Sequence, residues 1–294
     1  MIRFGRLFAA LVALVLAAAL FAGCGDDDVE PVGSPTPTTE DSTPVGSPSP
    51  DETSTTETVE LEVWFTQDGD LFLTHREVPE TQGIGKAALE ALLAGPSDSE
   101  TDVDVVSAIP EGSELLGLSI SEGVATVDLT GEFESGGGSA SMFARLSQVV
   151  YTLTQFPTVD GVMFKLDGES VETFSGEGIL LDGPQTRKDY KDQLPAIVVE
   201  EPAAGEEVTS PLTISGTANT FEATVEMRLV GPDGKVIAHR FTTATCGTGC
   251  RGDYETQLKF KVSEPTEAIL EVYESSAEDG SRIHVERVPV TLVP

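Results

Sequence analysis

The sequence is short of basic residues and of cysteines. Its 294 residues include 17 lysines and arginines against 50 aspartates and glutamates, which gives a formal net charge of -33. Because nucleic acids are bound through clustered positive charge, this balance argues against a nucleic-acid partner. Three cysteines cannot build the dense disulfide framework of a small secreted fold. The length instead leaves room for two domains of ordinary size that fold around apolar cores.

Motifs of the common enzyme classes are also missing. No serine lies in a G-x-S-x-G pattern, and the sequence has neither an H-E-x-x-H pair nor a Walker loop. The glycine-rich run 135–139 lacks the lysine of a phosphate-binding loop, so we interpret it as a connector. All three histidines lie in strand-like runs, where a structural role is more frequent than catalysis: His75, His239 and His284. We therefore predict no enzymatic activity, no cofactor and no bound metal.

The N-terminus has the composition of a secretory signal, which we place at residues 1–23. Arg3 and Arg6 precede an apolar run, and small residues lead up to Cys24. The segment resembles the bacterial lipobox, which implies that Cys24 is lipid-modified and anchors the protein to the outer face of the membrane. The alternative is an uncleaved anchor, or a secretory signal that is followed by an incidental cysteine.

Residues 24–59 form the next segment, which is rich in serine, threonine and proline. It holds nine acidic residues and no basic one. Such a composition buries too little apolar surface to fold, so we predict a disordered linker. A flexible coil of this length averages about 35 Å from end to end, which would let the following domains reach past the lipid surface.

Apolar alternation begins after the linker and predicts a first domain over residues 60–183. A polar turn at 67–70 separates two alternating runs and indicates a β-hairpin. Apolar residues at helical spacing predict one helix over 84–94 and another that includes Met142, Leu146, Val149, Leu153 and Phe156. Further strand-like runs lie at 103–109, 115–120, 124–129 and 159–166. Strands interrupted by two amphipathic helices predict an α+β two-layer domain.

A polar joint at 183–193 leads into a second domain over residues 195–294. Turn sequences such as Gly231-Pro232-Asp233-Gly234 separate its strand-like runs. There are seven of these runs: 197–200, 212–218, 223–230, 235–242, 255–262, 268–274 and 288–293. This spacing over about 100 residues predicts an all-β immunoglobulin-like sandwich.

Cys246 and Cys250 remain once Cys24 is assigned to the lipid. An even pair in an exported protein favours a local disulfide. The alternative is a metal site that adds His239, although such a site would lack a fourth ligand.

Ordered motifs in the first domain resemble the GerMN domain of sporulation and germination proteins. These are Ala-Leu-Leu-Ala-Gly-Pro at 91–96, Ala-Ile-Pro-Glu-Gly at 108–112, Val-Ala-Thr-Val-Asp-Leu at 124–129, Phe133, and Gln-Val-Val-Tyr-Thr-Leu-Thr-Gln-Phe at 148–156. The last domain resembles the immunoglobulin-like Gmad domain of bacterial spore germination, through residues 211–223, 251–254 and 275–281. GerMN domains look like a ring-building motif of envelope assemblies, so the resemblance implies protein–protein contact.

Six residues are candidates for contact with a partner: Trp64, Phe221, Glu222, Arg251, Asp253 and Tyr254. Trp64 either faces outward as an anchor or is covered by a helix. Phe221 and Glu222 form either a core residue with a cap or an exposed binding patch. The resemblance implies that Arg251 braces a turn, that Asp253 satisfies backbone donors and that Tyr254 replaces a phenylalanine.

Together these patterns predict a lipid-anchored, non-enzymatic envelope protein. The anchor would hold it at the membrane, and the two domains would bind an envelope protein or peptidoglycan. The alternative function is a cell-wall hydrolase or a direct regulator of one. Solute binding for a transporter is disfavoured, because two small domains lack the doubly wound halves of such receptors.

Overall fold

The computed structural model describes residues 57–294. The predicted signal peptide, Cys24 and almost all of the predicted linker lie outside this range. Within it an α+β domain is followed by a β-sandwich, so the predicted fold class is confirmed. No helix in the described part of the chain is long and apolar enough to cross a membrane.

The first domain opens with the predicted hairpin. β1 (Thr58–Gln67) pairs antiparallel with β2 (Asp70–Pro79) along its whole length. Asp68 and Gly69 form the two-residue turn with φ of 53° and 98°, the left-handed conformation that tight hairpins require.

Three helices follow, α1 (Ile84–Leu93), α2 (Asp98–Thr101) and α3 (Ser139–Leu153). Both amphipathic helices lie where the apolar spacing predicted them. α3 buries four of its five predicted apolar residues, whereas Phe156 lies beyond the end of the helix.

The strands of this domain, including the hairpin, form three sheets. β3 (Val105–Val106) joins the hairpin in the order β2-β1-β3. β4 (Leu115–Ser121), β5 (Val124–Leu129), β6 (Gly161–Leu166) and β7 (Glu169–Ser170) form a second sheet, in which β5 and β6 run parallel. β8 (Thr173–Phe174) and β9 (Ile179–Leu180) make a small hairpin.

The predicted strand at 103–109 is wrong over most of its length. Only Val105 and Val106 pair with β1, and the main-chain N–H of Ala108 instead donates to the Gln148 side chain at 2.8 Å. The one-turn helix α2 just before it was not predicted. Its signal is the capping box in which Ser97 and Glu100 satisfy each other's main-chain donors.

The second domain is a sandwich of eight strands, β10 (Ile197–Glu201), β11 (Glu206–Val208), β12 (Leu212–Ala218), β13 (Thr224–Val230), β14 (Val236–Thr243), β15 (Gly252–Leu258), β16 (Thr266–Ser275) and β17 (Arg282–Leu292). One sheet has the order β10-β12-β15, and the other has the order β11-β17-β16-β13-β14. All seven predicted strands are present. Sequence patterning missed β11, which is three residues long and pairs in parallel with the far end of β17.

The free edge of β1 is covered by polar side chains from α3 and from the residues that follow it. Gln155 exchanges two hydrogen bonds with the main chain of Glu62, at 2.9 and 2.7 Å. Gln148 donates to the main-chain oxygen of Trp64, whose N–H donates to the Thr152 hydroxyl. These contacts satisfy backbone groups that a neighbouring strand would otherwise pair.

A buried ion pair fixes the start of α2 against β2. Glu100 is 0% exposed and accepts hydrogen bonds from both terminal nitrogens of Arg76, from Thr74 and from the N–H of Ser97. Burial alone would raise the pKa of Glu100, but these donors outweigh it and hold that pKa below its ordinary value.

Replacing this buried carboxylate should destabilise the protein. We expect Glu100→Gln to lower the free energy of unfolding by about 2 kcal/mol, because it leaves Arg76 without its counter-ion. Chemical denaturation at neutral pH measures this change. Glu90→Gln is the control, since the Lys86–Glu90 pair is exposed and its loss should cost no more than about 0.5 kcal/mol. Equal effects of the two variants would contradict the assignment.

Candidate interaction site

The two domains meet where the β1–β2 turn reaches β17. The buried Gln67 side chain donates to the main-chain oxygen of Arg287 at 3.1 Å and accepts from its N–H at 3.0 Å. Its carboxamide thus pairs with β17 as a residue of an adjacent strand would. Arg287 also reaches Asp68 at 2.9 Å. Both domains lie within one compact unit, and their buried apolar residues form one continuous cluster.

An acidic cleft of about 650 Å³ is lined by residues of both domains. Its walls carry six glutamates and one histidine: Glu60, Glu77, Glu200, Glu201, Glu206, Glu207 and His75. Burial raises the pKa of Glu200, and the neighbouring Glu62 and Asp253 add to that effect. A surface of this sign repels anions, so a phosphorylated or nucleic-acid ligand is disfavoured here.

An exposed apolar side chain lies at one corner of the sandwich. A short 3-10 turn over Phe221–Ala223 links β12 to β13 and leaves Phe221 50% exposed. Glu222 and Ala223 have φ of 54° and 58°, the left-handed conformation that non-glycine residues rarely adopt. Each such residue costs on the order of 1 kcal/mol and persists only where the surroundings enforce it.

A disulfide-closed loop enforces this conformation. Cys246 and Cys250 are joined in the structure, with their Cα atoms 5.7 Å apart. Within the loop, Thr248 donates its N–H to the main-chain oxygen of Thr220 and accepts from the N–H of Glu222, at 2.9 and 3.0 Å. We call the turn Phe221–Ala223 together with the loop 246–250 the Phe221 corner. In this arrangement the turn that exposes Phe221 is supported by the disulfide-closed loop.

The structure decides between the two alternatives for Phe221 and Glu222. Both residues are exposed, so Phe221 is not a core residue. The Glu222 side chain makes no hydrogen bond among the described residues and does not act as a cap. The buried Glu274, not predicted from the sequence, accepts the Phe221 N–H at 2.8 Å and thereby holds the start of the turn.

The segment 251–254 is mainly structural. Arg251 donates to the main-chain oxygens of Pro195 and Thr217 and so ties the start of the second domain to β12. Asp253 is exposed and bonds Thr245 through its main chain, so the expectation that its carboxylate satisfies backbone donors is not met. Tyr254 is buried and donates to the main-chain oxygen of Val198, which removes it as a surface contact.

Trp64 is likewise covered and is not an exposed anchor. It is 4% exposed and lies under α3, with its ring centroid 5.0 Å from that of Tyr151. Arg187 from the interdomain connector stacks over both rings, at 5.8 and 4.9 Å. Of the two alternatives for Trp64, coverage by a helix is the one observed.

The glycine-rich run at 135–139 is held in place by a buried arginine. Arg145 on α3 donates to the main-chain oxygens of Phe133, Ser135 and Gly136. These bonds engage both terminal nitrogens of the guanidinium, so this loop is a structural element. Within residues 57–294 no group of histidine, cysteine or acidic side chains is arranged to hold a metal ion.

These features define the class: a two-domain protein in which an α+β domain is joined to an immunoglobulin-like sandwich that displays an exposed aromatic corner. Residues 47–172 match the family model described as sporulation and spore germination, and residues 196–281 match the immunoglobulin-like domain of bacterial spore germination. The chain therefore carries one domain of each of these two families. Neither is a known enzyme family. No curated protein matches the sequence significantly.

The solved structures that are similar to parts of this chain include the following three. The tandem GerMN domains of the sporulation protein GerM from Bacillus subtilis share 16% identity at a TM-score of 0.41, over 81% of this chain and 61% of that one. This chain thus spans less than two thirds of that structure. The first GerMN domain of the same protein shares 23% identity, over 45% of this chain and 100% of that one, at a TM-score of 0.38. A proposed lipoprotein from Clostridium perfringens shares 19% identity, over 47% and 93% of the two chains, at a TM-score of 0.34.

A substitution inside the disulfide loop should disturb the Phe221 corner. A Cβ added at Gly247 would lie 2.5 Å from the main chain of Ala223, so we expect Gly247→Ala to lower the free energy of unfolding by about 1–3 kcal/mol. Thermal unfolding measures this. Gly176→Ala is the control, because a Cβ there meets nothing within 4 Å. Equal stability of the Gly247 variant and the unsubstituted protein would show that the loop does not support the turn.

Proposed function

We propose that this protein is a lipid-anchored, extracytoplasmic binding module without enzymatic activity, and that it contacts a protein partner of the cell envelope through the Phe221 corner. The lipid on Cys24 holds the chain at the membrane. The acidic linker separates that anchor from the folded domains. The two domain families support a place for the protein in sporulation- or germination-type envelope assemblies.

The exposed Phe221 on its strained, disulfide-closed support is the observation that carries this proposal. Strained backbone in native proteins concentrates at functional positions, and a phenylalanine that is held outward leaves apolar surface in water. Interfaces are centred on a few large anchors of this kind, which fill apolar pockets on the partner. Glu222 beside it favours a partner whose pocket has a basic rim.

The binding role can be tested by crosslinking in living cells followed by affinity purification. We expect Phe221→Ala to reduce recovery of the crosslinked envelope protein by about tenfold or more, as for the loss of an interface anchor. Phe241→Ala is the matched control, because Phe241 is 69% exposed on the same domain but lies on a regular strand.

Equal recovery with both variants would contradict the assignment of the Phe221 corner. Recovery of peptidoglycan fragments alone would replace the protein partner with the cell wall.

The anchor can be tested independently of the partner. We expect Cys24→Ala to abolish incorporation of labelled fatty acid and to release the protein into the medium or leave it held by an uncleaved signal. The double variant Cys246→Ser/Cys250→Ser is the control and should keep the label, because those residues form the disulfide in the folded domain. Unchanged labelling of the Cys24 variant would disprove lipid attachment at that residue.

A further inference from the structure

One long edge strand of this structure lacks the charged residues that the others carry. β4 ends the sheet with the order β4-β5-β6-β7, and none of its seven residues is charged. Every other edge strand in the described part of the chain is two residues long or carries a charged residue. Charge and short length keep a sheet edge from pairing with another chain. The bulge of β4 lies at its start, between Leu115 and Gly117, and leaves 117–121 as a regular, unprotected edge.

The outward main-chain groups of this edge have no partner. The two-residue turn at 122–123 has φ of 52° and 82°, so it is a tight hairpin turn that Ser121 and Val124 close as a hydrogen-bonded pair. Because such pairs alternate along an antiparallel ladder, the N–H and C=O groups of Leu118 and Ile120 point away from β5. No other strand, loop or side chain in the described part of the chain bonds to these groups.

The side chains of β4 form one apolar row and one polar row. Leu118 and Ile120 point toward the first turn of α1, since a Cβ built at Gly85 would lie 3.3 and 3.8 Å from their methyl groups. Ser119 and Ser121 lie on the opposite face and are exposed. Ile120 keeps 43% of its surface exposed. An added strand would therefore meet apolar side chains on the α1 side and hydroxyl groups on the other.

Acidic residues flank the edge at both ends. The exposed Glu114 precedes β4, and the exposed Glu122 follows it. A second copy of this chain, paired antiparallel about Leu118, would set these two glutamates against each other, and like charges directly opposite destabilise a sheet. The first domain adds to this repulsion, because residues 60–183 hold 23 acidic and four basic residues. Basic residues at the ends of a different strand would complement both glutamates.

We propose that β4 is a docking edge to which an extended segment of another protein adds a strand. The segment alternates apolar and polar residues, to match the two rows of β4, and carries lysine or arginine at both ends. Main-chain hydrogen bonds to Leu118 and Ile120 supply affinity, and the flanking charges select the partner. This edge belongs to the first domain and the Phe221 corner to the second, so each proposal stands without the other.

Amide hydrogen exchange of the full-length protein tests strand addition. The probe is a synthetic peptide of about nine residues in which valine and threonine alternate between terminal lysines. We expect saturating peptide to slow exchange of the Leu118 and Ile120 N–H groups by about tenfold or more. The Ser119 N–H, already paired with β5, should not change. A matched peptide with glutamates in place of the lysines should bind at least about tenfold more weakly.

A proline substitution tests the edge directly. Ile120→Pro removes an outward donor without breaking a bond to β5, so we expect it to weaken binding of the lysine peptide by about tenfold or more, as measured by fluorescence anisotropy. Ile120→Val is the matched control, because it keeps the N–H and should bind as the unsubstituted protein does. The exchange measurement needs no substitution, so it remains decisive for a proline variant that folds poorly.

Unchanged exchange of Leu118 and Ile120 at saturating peptide would overturn the proposal. So would equal binding of the lysine and glutamate peptides, or equal binding by the proline and valine variants. Protection of the same N–H groups that grows with protein concentration in the absence of peptide would replace the proposed partner with a second copy of this chain.

Discussion

Unpaired strand edges are the constraint on which the rest of this structure depends. A strand that ends a sheet leaves main-chain donors and acceptors without partners, and burying them unpaired is costly. Glutamine side chains solve this problem twice here. Gln148 and Gln155 pair with the free edge of β1, and Gln67 pairs with β17 beyond the point where β11 covers it. The first pairing joins helix to sheet, and the second joins the two domains.

The pairing of the β1 edge with α3 also explains why we expect binding at the surface of the second domain and not at β1. With β1 enclosed between β2 and α3, Trp64 of the first domain is buried and is not available at the surface. The sandwich presents the exposed Phe221 on a turn that strains two non-glycine residues. A rigid corner on a domain that is tied to its neighbour can present one side chain with little loss of conformational entropy on binding. This is the property required of a binding module.

Periodicity predicted the elements that are long and regular. The hairpin, both amphipathic helices and seven of the eight sandwich strands follow from the spacing of apolar residues and from turn sequences. Periodicity failed to predict α2 and β11, because these elements are too short to show a period. It also predicted too long a strand for β3, because apolar residues at 103–109 are buried without being paired. The candidate site was predicted only in part, since Phe221 was identified but its exposure was not.

The amino-acid sequence by itself determined the fold class, the two-domain order and the negative charge, because these follow from local pattern and composition. Only the tertiary structure decided which side chains meet solvent. It buries Trp64 and Tyr254 and leaves Phe221 exposed. It also decided that the Gln67 side chain meets the main chain of Arg287, 220 positions away along the chain. Such long-range neighbours depend on how the two domains meet, and no local sequence pattern encodes that geometry.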